Sequence, residues 1–189
     1  MLRRNILFFC LFSFFFAWKV DAAAFDPSLS WKTIDTPHFS IHYPEDLVVL
    51  VPRTMEHLEM AYGILSKKYQ WHPFTKIQVV MSDFTDDANG TATVIPYNWL
   101  FLRAVPPGPE TGISFYDDWQ KLLIYHELTH IMHLDAARGF WRPWRILFGK
   151  TASPAGFTPS WIREGTATLE ETLYTKGGRG RSTYTEMLL

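Results

Sequence analysis

One cysteine in 189 residues, Cys10, rules out an internal disulfide framework. Charge of either sign is not in excess: 18 basic residues face 19 acidic ones, for a net charge of -1. No basic stripe stands out, so a nucleic-acid partner is not expected. Long apolar runs are also missing. The run Ile6–Ala17 is too short for a comfortable bilayer span. It follows Arg3 and Arg4 and precedes Ala22, Ala23 and Ala24, the layout of a secretory signal with a small-residue cleavage site. Residues 1–24 are therefore expected to be a signal peptide, with an uncleaved anchor as the alternative. Cys10 lies inside the run, so the processed chain has no thiol. An exported domain without disulfides depends on its core or on a metal, which suits a bacterial periplasm. Apolar residues at 47% and aromatics at 16% supply such a core.

What is present centres on Tyr125-His126-Glu127-Leu128-Thr129-His130-Ile131. Histidines four apart stand above one another on a helix, so His126 and His130 can grip one zinc ion. Glu127 then lies beside the metal as general base for a zinc-activated water. Asp117 or Asp118 offers an N-cap, and Trp119–Leu134 contains neither Gly nor Pro. Ile124, Leu128, Ile131 and Leu134 make an apolar stripe nearly opposite the histidines. One helix face is thus expected in the core and the other in a cleft.

The elements before this helix suggest a small mixed sheet. Ser30–Asp35 reads as a lead-in, and residues 38–43 as a strand with His38 and His42 on a solvated face. A helical segment opens at Pro44-Glu45-Asp46, with the helix proper from about Val51 to Tyr69. Its expected core face is Met55, Leu58, Met60, Ala61, Ile64 and Leu65. His57 and His72 read as ordinary, partly exposed histidines. Residues 76–81 form a second strand. Residues 83–90 form an acidic turn ending in Asn89-Gly90, without the spacing of a calcium loop. Thr91–Arg103 reads as a third strand interrupted at Pro96, a residue that favours a sheet edge. Beside a metal cleft such an edge can take up an extended peptide. The aromatic and basic segment 139–159 is expected to be irregular with one short helix, and a membrane-facing or partner-facing role is open to it.

A catalytic zinc needs a third protein ligand. His133 lies too far along the helix from the shared metal and reads as a supporting or packing residue. The metzincin pattern fails, because 133 and 136 hold His and Ala. Glu164 is the better candidate, in Pro159-Ser160-Trp161-Ile162-Arg163-Glu164-Gly165-Thr166-Ala167. Thr158 or Ser160 can cap a helix there, and Gly165 and Ala167 permit close approach to the first helix.

His126-Glu127-x-x-His130, with Glu164-Gly165-x-Ala167 starting 34 positions later and Glu171 beyond, resembles the gluzincin metallopeptidases. More narrowly, the chain resembles peptidase domains that precede a TolB-type, WD40-like β-propeller in bacterial secreted proteins. Pro73-Phe74-Thr75-Lys76, Asn89-Gly90-Thr91-Ala92, Asp118-Trp119 and Gly178-Arg179-Gly180-Arg181 add to the likeness. The resemblance implies Glu164 as third ligand, one zinc, and a peptide or protein substrate. It also implies an α+β, zincin-like fold over residues 25–189: a small mixed sheet with an edge strand over the cleft, a zinc-binding helix, then a second helix carrying Glu164. A β-propeller partner or domain is a further implication, while peripheral contact with the envelope membrane stays open through segment 139–159.

Two positions depart from the family. Leu169 stands where many members have an aromatic residue. Thr168 stands where some have an acid that orients a histidine, so another acceptor is needed. The chain ends at Leu189, with little of the lobe from which members draw a transition-state-stabilising Tyr or His, and neither Tyr174 nor Tyr184 is assigned that part. A truncated domain is therefore expected. The expected function is a periplasmic zinc peptidase. The alternatives are an inactive zinc-binding module for folding or interaction, and a zinc hydrolase of a non-peptide bond. Arg179 and Arg181 read as a mobile basic loop, with capture of a substrate carboxylate as the alternative.

Overall fold

The computed structural model describes residues 28–83, 89–108 and 116–181. The signal-peptide assignment, Asp86, Asp87 and Tyr184 fall outside them. Within them the fold is α+β, with a five-stranded mixed sheet and four helices.

The strands are β1 (Trp31–Asp35), β2 (Phe39–Pro44), β3 (Ile77–Ser82), β4 (Gly90–Thr93) and β5 (Trp99–Arg103). Their order across the sheet is β1-β2-β3-β5-β4. The two outer pairs are antiparallel and the two inner pairs parallel. One register row runs through every strand: Ile34, Ile41, Val79, Leu100 and Ala92. Its three central members are fully buried. Period-2 alternation explains this, because it sends alternate residues of each strand to one face. β5 shows it plainly, with Leu100 and Leu102 buried and Trp99, Phe101 and Arg103 half-buried.

Two assignments from the sequence need correction here. The lead-in at 30–35 is a strand. Its own side chains are mostly exposed, so no apolar alternation marked it, and pairing with β2 is what extends it. The single interrupted strand at 91–103 is in fact β4 and β5, folded back antiparallel around a turn that contains Pro96. Proline has no N–H to give to a ladder, and it sits in the turn. β4 lies at one edge of the sheet and β1 at the other, and β4 is as short as edge strands commonly are.

A 3-10 turn over Glu45–Leu50 leads into α1 (Val51–Tyr69). Pro52 occupies the first turn, where a missing N–H costs nothing. Leu58, Ala61 and Leu65 of α1 are fully buried, whereas Met60 is exposed. Two residues on from Leu58, Met60 is turned by about 200° away from the core, and its apolar character does not change that.

Helix α2 (Trp119–Leu134) is capped by Asp118, whose carboxylate accepts the Lys121 N–H at 3.1 Å. It is buried almost all round, not on one stripe. It packs against α1, against β4 and β5 of the sheet, and against α4 (Ser160–Tyr174). Between α2 and α4 in the chain lies α3 (Trp141–Phe148), the short helix expected within 139–159. The N-cap of α4 is Pro159, and neither Thr158 nor Ser160 caps it through a side chain. Among the described residues no helix is long and apolar enough to cross a membrane.

Candidate metal centre

His126 and His130 sit one turn apart on α2, with their Nε2 atoms 3.2 Å from each other. Glu164, on the second turn of α4, brings Oε2 to 3.4 Å from His126 Nε2 and 3.6 Å from His130 Nε2. These three side chains form a group that could hold a metal ion. His133 stays outside it. Its Nδ1 is buried without a hydrogen-bond partner among the described residues, and burial and the Arg163 charge lower its pKa. It packs beside the site without pointing a ligand into it.

Donor chemistry is set by burial. His126 and His130 are 6% and 9% exposed. Burial, reinforced by His126, depresses the His130 pKa to about 4, so its ring is neutral near pH 7 and offers a lone pair. Glu164 is open by contrast, with 56% of its side chain exposed. Gly165 is exposed too, and a Cβ there would meet nothing. The close approach of α4 to α2 therefore comes from Ala167, which is fully buried, and Gly165 takes no part in it.

Glu127 is 5% exposed and points toward β4. Burial pushes its carboxyl up to about 7; His126 and Arg179 act against the rise, and Glu164 and Glu171 add to it. A Cβ on Gly90 would fall 2.8 Å from both Glu127 Cγ and Oε1, and 2.7 Å from Leu123 Cδ1. Gly90 lies in a strand with no positive φ. Its role is to let the edge strand touch Glu127, and the turn suggested by Asn89-Gly90 is not the reason for it.

The acceptor missing at Thr168 is supplied one turn further on. Glu171, fully buried, places Oε2 2.9 Å from His126 Nδ1. Burial alone would raise this carboxyl, but the His126 and Arg179 hydrogen bonds outweigh it and hold the pKa at about 2. Arg179 clamps Glu171 as well, with Nε and Nη2 each at 2.9 Å and its backbone N–H at 3.0 Å. This corrects the reading of Arg179 as part of a mobile basic loop. Gly178, at φ +102°, and Gly180 press against Thr172, where a Cβ on either would come within 2.8 Å.

Ring tautomer matters here. If His126 donates Nδ1–H to Glu171, its Nε2 lone pair faces Glu164 and His130. In the other tautomer Nδ1 accepts from Arg179 Nη2, 2.6 Å away, and that lone pair is lost. Glu164 was legible from its helix motif, whereas the roles of Glu171 and Arg179 were not. One signal existed: Glu164, Ala167 and Glu171, spaced 3 and 4, lie on one helical face.

His126, Glu127, His130, Glu164 and Arg179 border a cavity of about 290 Å³. Gly90, Thr91 and Ala92 of β4 line it, as do Arg163 and Glu164 of α4. The outer edge of β4 has no strand beside it among the described residues. No protein-family model matches the chain, and no curated protein matches it significantly.

Proposed function

We propose that the chain is an exported, zinc-dependent peptidase of the gluzincin type, working in the periplasm. The observation that carries this reading is the His126–His130–Glu164 triangle with Glu127 beside it. Ligands on a tetrahedral zinc stand roughly 3.3 Å apart, given bonds of about 2.0–2.1 Å. The triangle's sides of 3.2, 3.4 and 3.6 Å suit that ion. Two imidazoles and one carboxylate leave one position for water or substrate, the pattern of catalytic zinc. The acceptor behind His126 is what a ligand histidine needs to hold its tautomer. The zincin-like reading of the fold rests on the same two helices and on the edge strand over the cavity.

A zinc ion bound there would supply a Lewis acid and a water of lowered pKa. The protein's own residues do the rest. An extended substrate peptide adds to the free edge of β4 by main-chain hydrogen bonds, which brings its carbonyl between β4 and Glu164. Glu127, poised near neutrality, takes the proton from the attacking water and passes it to the leaving nitrogen. Water addition and that proton transfer together break the amide into an acid and an amine. Glu171 and Arg179 keep the His126 ring in place throughout.

The test is metal content and peptide cleavage of the purified chain beside Glu127→Gln. Wild type is expected to bind one zinc and cleave, and Glu127→Gln to keep its zinc while losing about 10²–10⁴ in rate. Bound zinc without Glu127-dependent turnover would leave only a zinc-binding module. Failure to retain zinc would overturn both readings.

A further inference from the structure

Between Asp135 and Glu164 lie five cationic residues and six aromatic ones, with no acidic residue at all. All 19 acids of the chain fall outside this stretch. The charge is therefore sorted, although the whole chain is nearly balanced.

The structure gives the sorted segment a surface. Helix α3 at its centre buries no residue completely. Phe140, Ile146, Leu147 and Phe148 are 69%, 81%, 75% and 56% exposed. Four large apolar side chains so close together exceed the scattered exposure of an ordinary surface. Beside them runs a groove of about 360 Å³, with Phe74 and Ile146 as apolar walls and Arg142, Arg145 and Lys150 as cations.

These cations are only partly neutralised in place. Buried Asp135 takes both Arg145, at 2.9 Å, and Lys150, at 2.7 Å. One carboxylate between two cations leaves one positive charge, and exposed Arg142 adds another. Arg145 is held firmly, with only 8% of its side chain exposed.

We propose that this face docks onto an anionic phospholipid membrane. The exposed side chains of α3 enter the boundary between headgroups and acyl chains, and the groove receives a lipid phosphate between Arg142 and Lys150. Apolar side chains interleaved only with cations suit a surface that is uniformly negative outside and hydrocarbon beneath. A protein partner would present charges of both signs, and the segment has no acid to meet its cations. The inference is independent of the metal centre.

The full chain is tested as Cys10→Ser with Leu147→Cys carrying an environment-sensitive fluorophore, and with the same label at Lys32→Cys on β1 as control. Vesicles are phosphatidylcholine alone or mixed with phosphatidylglycerol. The label at 147 is expected to shift to the blue on phosphatidylglycerol vesicles only, and the label at 32 to stay unchanged. Adding Arg142→Glu should weaken binding by at least roughly tenfold, and raised salt should weaken it too. Ile146→Ser, at another exposed site, should do the same without a change in circular dichroism. The proposal is overturned by no shift at 147, by an equal shift on phosphatidylcholine, or by unaltered binding of both variants. A vesicle-independent shift that grows with protein concentration also overturns it, in favour of a contact between copies.

Discussion

Glu171 holds His126: a fully buried carboxylate on α4 stands 2.9 Å from Nδ1 of a histidine on α2, 45 residues earlier in the chain. This contact fixes which ring nitrogen faces Glu164. Glu171→Ala should lower zinc affinity by about 10–100-fold, measured by competition with a chelator. An unchanged affinity would show that the ring is held by something else. Arg179→Ala leaves Glu171 as a buried charge without its clamp and should cost on the order of 2 kcal/mol in denaturant unfolding, below the full buried-pair value because Arg179 is partly exposed.

Gly178 is a more remote lever on the same contact. Its φ of +102° and its approach to the Thr172 backbone leave no room for a side chain. Gly178→Ala should lift Arg179 from Glu171 and weaken zinc binding without altering a ligand. Zinc titration of this variant checks it, with Gly149→Ala as a comparison. Gly149 also has a positive φ, but its Cβ would meet nothing.

Gly90→Ala separates catalysis from metal binding. The added Cβ meets Glu127 and Leu123 at 2.7–2.8 Å, so Glu127 must move while His126, His130 and Glu164 stay. Peptide turnover should fall sharply at unchanged zinc content, with a stability cost of about 1–3 kcal/mol from overpacking. Full activity of Gly90→Ala would detach Glu127 from the reaction.

Asp118 ties stability to pH. Burial works to raise its pKa, but the Lys121 N–H, Arg53 and His57 outweigh it and lower the value. A carboxyl with a depressed folded-state pKa adds stability that is fully present above its unfolded pKa, about 3.9. That stability disappears as pH falls through the lower folded value. Asp118→Asn can still cap α2 but loses the pairs to Arg53, at 2.6 Å, and His57, at 2.9 Å. Wild type should exceed the variant in unfolding free energy at pH 7, and the gap should close in strong acid. A gap that widens in acid would contradict the pairing. The His57 partner was unforeseen, since the contact spans 61 residues and joins α1 to the cap of α2.

Local periodicity made part of the site readable. His126, Glu127 and His130 follow from one helical turn, and the Glu164 motif from another, because helices fix neighbours three and four residues apart. Apolar alternation marked β2 and β-branched residues marked β3, whereas β4 and β5 were merged into one strand. The sequence by itself determined which residues carry the donor groups. Only the tertiary structure decided their partners. Packing of α4 against α2 set Glu171 behind His126 and turned Arg179 inward, and the passage of β4 over α2 gave Gly90 its purpose. Ladder bonds made a strand of 31–35, whose side chains gave no sign of one. The Glu171–His126 and Gly90–Glu127 contacts bring together segments 45 and 37 residues apart, and no local pattern of residues encodes such a meeting.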